Sequence, residues 1–67
     1  MAIAKVEEIS ATSKVSFEDA IKQGIARATK TLHNVRSGWV KEQRVRLEGD
    51  KIVEFQVNLA VTFVLDD

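Results

Sequence analysis

The sequence contains no cysteine, and His33 is its only histidine. Disulfide bonds and metal sites built on thiolates are therefore excluded. A 67-residue chain buries only about 60% of its unfolded surface, so it is marginally stable without such cross-links. Oligomerisation is the remaining common source of stability, and we expect an obligate assembly. No Ser, Cys or Asp lies at a spacing that suggests a catalytic triad with His33, so we do not expect an enzyme.

An excess of charge of one sign and long apolar runs are also missing. Ten basic residues balance ten acidic residues, and the pI is about 6.6. This balance provides no electrostatic footprint for nucleic acid or an anionic membrane. No apolar run approaches the roughly 18 residues of a membrane-spanning helix, and residues 1–5 lack the apolar segment of a signal peptide. We therefore expect a cytoplasmic protein with no nucleic-acid or membrane partner.

The last third of the chain, from Ile52 to Leu65, alternates between apolar and polar residues. Side chains alternate across a strand with period two, so the pattern predicts one long strand with two different faces. Its length is well above the usual strand of roughly 5–6 residues. We expect the apolar face to form the subunit core, and the polar face carries Gln56 near its middle. The apolar set is Val53, Phe55, Val57, Leu59, Val61, Phe63 and Leu65; the polar set is Glu54, Gln56, Asn58 and Thr62.

The first half of the chain predicts a strand followed by a helix. The strand extends from Ile3 to Ala11, and Thr12–Lys14 forms a polar connection. Ser16 is a suitable N-cap for a helix that runs from Phe17 to Leu32 or His33. After the helix, Asn34 suits a left-handed backbone position. One stripe of apolar or small residues recurs at helical spacing: Phe17, Ala20, Ile21, Gly24, Ile25, Ala28 and Leu32.

A second strand is predicted from Val35 to Leu47, and neither of its faces is cleanly apolar. Such a pattern suits a strand that lies at subunit contacts. The segment from Glu48 to Lys51 predicts a tight hairpin, with Gly49 available for a positive φ. The order β-α-β-β indicates a single α+β domain over residues 1–67. We expect a three-stranded antiparallel sheet partly wrapped around one helix.

Segments in this order resemble the dodecin family from end to end. They are Glu8–Ser10, Ser16–Ile21, Ala26–Ala28, Lys30–Leu32, Asn34–Val35, Val40–Gln43, Glu54–Val57 and Val61–Leu65. The resemblance implies a small β-α-β-β protein that assembles into a hollow homododecamer. It further implies storage or sequestration of a flavin, FMN or riboflavin, at contacts between subunits. The family's members are viewed as binding proteins and not as enzymes.

The resemblance also implies which residues contact the flavin. In flavin-binding dodecins, a tryptophan at the start of the second strand stacks on the isoalloxazine, and a glutamine on the third strand bonds its polar edge. Gln56 matches this glutamine, whereas Ser37 occupies the stacking position. Trp39 follows two residues later, on the same face of the strand and displaced by about 6–7 Å. Arg44 matches an arginine associated in several bacterial dodecins with flavin phosphate or subunit contacts. No residue is expected to bind a metal.

Each of these residues also has a simpler interpretation. Trp39 suits an aromatic residue that fills space between subunits. Gln56 suits a hydrogen bond to a neighbouring strand, and Arg44 suits an ion pair with an acidic residue such as Glu42 across subunits. The alternative function is therefore a dodecin-fold structural assembly that has lost flavin binding, with Ser37 marking that loss. Such an assembly would bind another small ligand or a metal ion.

Overall fold

The last strand of the chain lies at the centre of the sheet. A computed structural model describes residues 3–65 and contains β1 (Ala4–Ser13), α1 (Phe17–Thr31), β2 (Val35–Glu48) and β3 (Lys51–Val64). The three strands are antiparallel in the order β1-β3-β2. The predicted β-α-β-β architecture is confirmed, and the bounds of β2 and β3 agree with the predictions to within one residue. Within residues 3–65, no helix has the length and hydropathy of a membrane span.

The first strand is longer than predicted. Thr12 pairs with Gln56 and Ser13 pairs with Phe55, so both residues belong to β1. The prediction that they form a connection was wrong, because pairing with the central strand outweighs the turn preference of their hydroxyl side chains. Ser13 nevertheless ends the strand, since its Oγ accepts a hydrogen bond from the backbone N–H of Val15 at 2.9 Å.

The helix begins where the sequence predicts and ends slightly earlier. Ser16 Oγ accepts a hydrogen bond from the backbone N–H of Asp19 at 2.9 Å, so the predicted N-cap is confirmed. The helix ends at Thr31, because Leu32 has an extended backbone with φ −108° and ψ 136°. Leu32 is therefore the C-cap, and the prediction that the helix reaches Leu32 or His33 was wrong by one or two residues.

Two residues with positive φ define the turns on either side of β2. Asn34 has φ 61°, as predicted, and its carbonyl accepts a hydrogen bond from the N–H of Val64 at 3.0 Å. This bond fixes the start of β2 beside the end of β3. Gly49 has φ 63° in the turn between β2 and β3, which confirms the predicted hairpin.

The core lies between α1 and the apolar face of β3. Ala20, Val57 and Leu59 form its buried centre. Gly24 allows the helix to approach the sheet, since a Cβ at this position would lie 3.0 Å from Leu59 Cδ1 and 3.2 Å from Ala11 Cβ. The predicted apolar stripe of α1 therefore faces the predicted apolar face of β3. Partly buried hydrophobic residues around this centre are Ile9, Ala11, Phe17, Ile21, Ile25 and Val40.

Irregularities in β2 explain why neither of its faces is cleanly apolar in the sequence. Val40 pairs with Leu59 and Glu42 pairs with Asn58, so Lys41 is an extra residue at a bulge. An extra residue reverses the alternation of faces beyond it. Ser37 and Trp39 therefore lie on the same face as Glu42, Arg44 and Arg46. We call the sheet face opposite α1 the outer face. It carries Ser37, Trp39, Glu42, Arg44 and Arg46 of β2, Glu54, Gln56, Asn58, Ala60, Thr62 and Val64 of β3, and Ala4, Val6, Glu8, Ser10 and Thr12 of β1.

Candidate functional site

The outer face contains all four residues that the sequence predicts for the ligand site. Gln56 is the Cα partner of Arg44, Trp39 is opposite Ala60, and Ser37 is opposite Thr62. Trp39 is the only tryptophan of the chain, and it is 50% exposed. An aromatic ring, an amide and a guanidinium are thus presented by two neighbouring strands on one surface.

The distance between these groups along the sheet limits which of them one small ligand can contact on a single subunit. Gln56 and the Trp39 partner Ala60 are four residues apart on β3, which corresponds to about 13 Å at the usual rise of a strand. Ser37 is farther from Gln56, at about 20 Å by the same measure. Stacking and hydrogen bonds join atoms only about 3–4 Å apart. A small ligand therefore meets Gln56 and an aromatic ring together if it spans this distance or if a second subunit contributes one of them.

The Gln56 side chain belongs to a hydrogen-bonded row across the three strands. Its Nε2 donates to Ser10 Oγ at 3.0 Å and to Asn58 Oδ1 at 3.3 Å. Asn58 Nδ2 donates in turn to Glu42 Oε1 at 2.8 Å. The bond to Ser10 is of the kind expected from the simpler interpretation, a hydrogen bond to a neighbouring strand. Neither bond uses Gln56 Oε1, which leaves an acceptor for a ligand.

Two arginines of β2, Arg44 and Arg46, form ion pairs within one chain. Arg44 Nη2 lies 3.6 Å from Glu42 Oε1, and Arg46 Nε lies 3.4 Å from Glu54 Oε1. Arg46 Nη1 also lies 3.7 Å from Glu48 Oε2. The Arg44 side chain is 61% exposed, and exposed pairs of this kind contribute only about 0–1 kcal/mol. Arg44 can therefore exchange its carboxylate for a ligand anion at small cost.

A further ion pair crosses the middle of the outer face. Lys41 Nζ of β2 lies 3.1 Å from Glu8 Oε1 of β1. Glu8 is opposite Ala60, whose small side chain lies on the intervening strand β3. The pair therefore lies beside Trp39, whose strand partner is also Ala60.

Several members of this surface were missed by sequence reasoning. Asn58 was placed on the polar face of β3, but its role between Gln56 and Glu42 was not recognised. Ser10 lies 46 residues from Gln56 along the chain, and only the sheet order brings it close. No local signal in the sequence identifies either contact, because partners on different strands are set by the pairing register.

Other parts of the described structure do not add to this site. Within residues 3–65, no three His, Asp or Glu side chains lie together as a metal-binding group. A groove of about 490 Å³ lies between β1 and α1 and is lined partly by Ile9, Gly24 and Ala28. Its lining includes none of the four predicted site residues.

Comparisons with known proteins agree with this architecture. The dodecin family model matches residues 3–66. The dodecin of Streptomyces davaonensis is 38% identical, with a TM-score of 0.91 over 98% of this chain and 97% of that chain. A tryptophan-to-phenylalanine variant of Thermus thermophilus dodecin is 36% identical, with a TM-score of 0.93 over the full length of both chains. A search of curated proteins finds no significant match.

A third similar structure is that of calcium dodecin from Mycobacterium tuberculosis, a calcium-chelating antigen with a calcium-binding site. It is 26% identical to this chain, with a TM-score of 0.82 over 96% of this chain and 91% of that chain. The structural matches share the fold described above, and the family model covers nearly the whole sequence. The chain therefore belongs to the dodecin family.

Proposed function

We propose that this protein binds a flavin, FMN or riboflavin, between the subunits of a homododecamer and stores or sequesters it without catalysis. The observation that carries this proposal is that Gln56 and Trp39 share the outer face. Membership of the dodecin family supports flavin as the ligand and the dodecamer as the assembly. A cytoplasmic location is part of the same proposal.

Gln56 would contact the polar edge of the isoalloxazine. This edge carries an N–H group flanked by two carbonyls, and an amide offers an acceptor and donors that complement it. Gln56 Nε2 already donates to Ser10 and Asn58. Its Oε1 is therefore the atom that accepts from the flavin N–H.

Trp39 would supply the aromatic surface for stacking. The resemblance assigns the family's stacking position to Ser37, whose short side chain leaves space on the outer face. Trp39 lies on that face and is 50% exposed, so its ring is available to a planar ligand. Because Trp39 and Gln56 are about 13 Å apart along one sheet, we infer that the two groups around one flavin come from different subunits.

Exposed apolar side chains support the assembly. Val6, Leu47 and Ile52 are each more than half exposed. Such side chains lose contact with water when subunits associate, which stabilises an oligomer of a chain with a small core. Static light scattering should give about twelve times the subunit mass of 7.5 kDa. A stable monomer would contradict the proposed binding site, because that site requires a second subunit.

The test of flavin binding is a fluorescence titration of the purified assembly with riboflavin and FMN. We expect quenching of the flavin on stacking and quenching of Trp39, the only tryptophan of the chain. Gln56→Leu should weaken binding, whereas Thr29→Val, a polar-to-apolar change on α1 away from the outer face, should leave it unchanged. Unquenched flavin at micromolar protein would contradict the proposal.

The second candidate is a dodecin-fold assembly that has lost flavin binding and holds another small ligand or a metal ion. Ser37 at the stacking position and the calcium-binding relative favour it. Since residues 3–65 contain no metal-binding group within one chain, a cation would need carboxylates from several subunits. This candidate predicts that Ser37→Trp creates or strengthens flavin binding and that calorimetry detects Ca²⁺ binding. Tight flavin binding by the unaltered protein would count against it.

A further inference from the structure

The hydrogen bonds between Gln56, Asn58 and Glu42 run in one direction: Gln56 donates to Asn58, and Asn58 donates to Glu42. We propose that Glu42 and Asn58 are positioning residues that hold the Gln56 amide with Oε1 toward the ligand. The site would then select ligands that donate an N–H at their polar edge over ligands that do not. This inference rests on the proposed flavin-binding function and goes beyond it by identifying Glu42 and Asn58 as the residues that fix the polarity of the contact.

Glu42 sets the direction because an ionised carboxylate accepts hydrogen bonds and donates none. Asn58 must therefore turn its amide nitrogen toward Glu42, and Nδ2 lies 2.8 Å from Oε1. Arg44 Nη2 lies 3.6 Å from the same Glu42 oxygen. The orientation of the Asn58 amide follows from its contact with Glu42.

Asn58 transmits the direction to Gln56. With Nδ2 toward Glu42, Asn58 Oδ1 points to the other side and can only accept a hydrogen bond. Gln56 therefore turns Nε2 toward it, at 3.3 Å. Ser10 does not set the orientation, because its hydroxyl can either accept from Nε2 or donate to Oε1. The only member of the row that cannot be reversed is Glu42.

This orientation has a consequence for ligand choice. Both Nε2 bonds are made inside the protein, so Gln56 presents an acceptor to the ligand. The imide N–H of a flavin satisfies that acceptor. A flavin methylated at this nitrogen leaves Oε1 without a donor, and desolvating an unpaired polar group opposes binding. Glu42 is 59% exposed, so water competes with the row and the effect should be moderate.

The test compares riboflavin with its N3-methyl analogue on the full-length assembly by fluorescence titration. The unaltered protein should bind riboflavin about tenfold more tightly, the factor that one hydrogen bond near the upper end of its usual range supplies. In the Glu42→Gln variant, the side chain at position 42 can donate a hydrogen bond as well as accept one, so the amides of Asn58 and Gln56 can both reverse. The ratio of the two affinities should then fall about threefold or more, while assembly and thermal stability stay the same.

A double variant serves as the matched control. In Glu42→Gln with Asn58→Asp, the new carboxylate at position 58 accepts from both neighbouring amides. Gln56 Nε2 is again held toward position 58, and the affinity ratio should return to that of the unaltered protein. A restored affinity ratio would also show that the lower ratio in Glu42→Gln alone does not come from a folding defect.

The outcomes separate this inference from the proposed function. If riboflavin itself does not bind, the proposed function is contradicted and the positioning role with it. If riboflavin binds but the ratio is unchanged in Glu42→Gln, the methyl group is rejected by steric contact alone and only the positioning role is overturned. Equal binding of both ligands by the unaltered protein overturns it in the same way.

Discussion

Gln56 and Arg44 are direct partners across β3 and β2, on the face of the sheet opposite the helix. Strand pairing therefore holds the Gln56 amide and the Arg44 guanidinium side by side. The amide suits the polar edge of an isoalloxazine, and the guanidinium suits a phosphate. Among residues 3–65, the one acidic partner of Arg44 is Glu42, in an exposed contact at 3.6 Å, whereas Arg46 contacts both Glu54 and Glu48. The two arginines differ in how readily they can bind an added anion.

Arg44→Gln should weaken the binding of FMN and leave the binding of riboflavin nearly unchanged, because only FMN carries a phosphate. An exposed charge pair contributes up to about 1 kcal/mol, which corresponds to a loss of about fivefold in FMN affinity. The measurement is a pair of fluorescence titrations at low salt, where exposed charges are least screened. Arg46→Gln changes the net charge equally and is the control. Equal losses in the two variants would show a general charge effect and not a phosphate contact.

Trp39→Ala should abolish most of the flavin quenching, because the stacked ring is lost. Trp39→Phe keeps an aromatic face and should retain a measurable part of the affinity. Stacking of one aromatic ring on a base contributes about 1–3 kcal/mol in other proteins, so the alanine variant should bind roughly five- to a hundredfold more weakly. If Trp39 only fills space between subunits, the alanine variant will lose assembly mass in light scattering while the affinity per assembled site is unchanged.

Gly24→Val should destabilise the subunit by about 1–3 kcal/mol, because added carbon atoms overpack the contact between α1 and the sheet. Even the first added carbon would meet Leu59 and Ala11 at 3.0 and 3.2 Å. Ala26→Val places the same β-branched residue on the exposed side of the same helix, where only the small propensity cost applies. Denaturant unfolding of both variants measures the difference. Similar midpoints would contradict close packing at Gly24.

Ser16→Ala should cost about 1 kcal/mol of unfolding free energy, because the N–H of Asp19 loses its acceptor at the helix start. Ser16→Asn keeps an oxygen that can cap the helix and should be nearly neutral. Thermal unfolding followed by circular dichroism gives both values under identical conditions. A loss of equal size in the asparagine variant would indicate that the hydroxyl acts through another contact.

Much of the fold was predictable because its signals are local. The period-two alternation of β3 follows from strand geometry, the cap at Ser16 from the unpaired amides of the first helical turn, and the turn at Gly49 from the freedom of glycine at positive φ. The predicted helix stripe and the predicted apolar strand face meet in the core, because each must be buried against another element. These features need no information about distant residues.

The candidate site was predictable only in part. Gln56 was placed on the polar face from its parity alone, and it lies there. The same counting gave no clean face for β2, because the extra residue at Lys41 reverses the alternation between Trp39 and Arg44. A bulge is set by pairing with the neighbouring strand, and nothing in the local pattern of charged and apolar residues indicates it.

The sequence by itself determined the elements of this protein, their turns, the buried face of β3 and, through the order of its segments, the family. The tertiary structure decided that β3 is central, that Trp39 and Arg44 share a face, and that Glu42, Asn58, Gln56 and Ser10 form one hydrogen-bonded row. The physical reason is the range of the interactions. Propensity, capping and alternation act between residues near in the chain, whereas strand order, register and side-chain networks arise when distant segments pair.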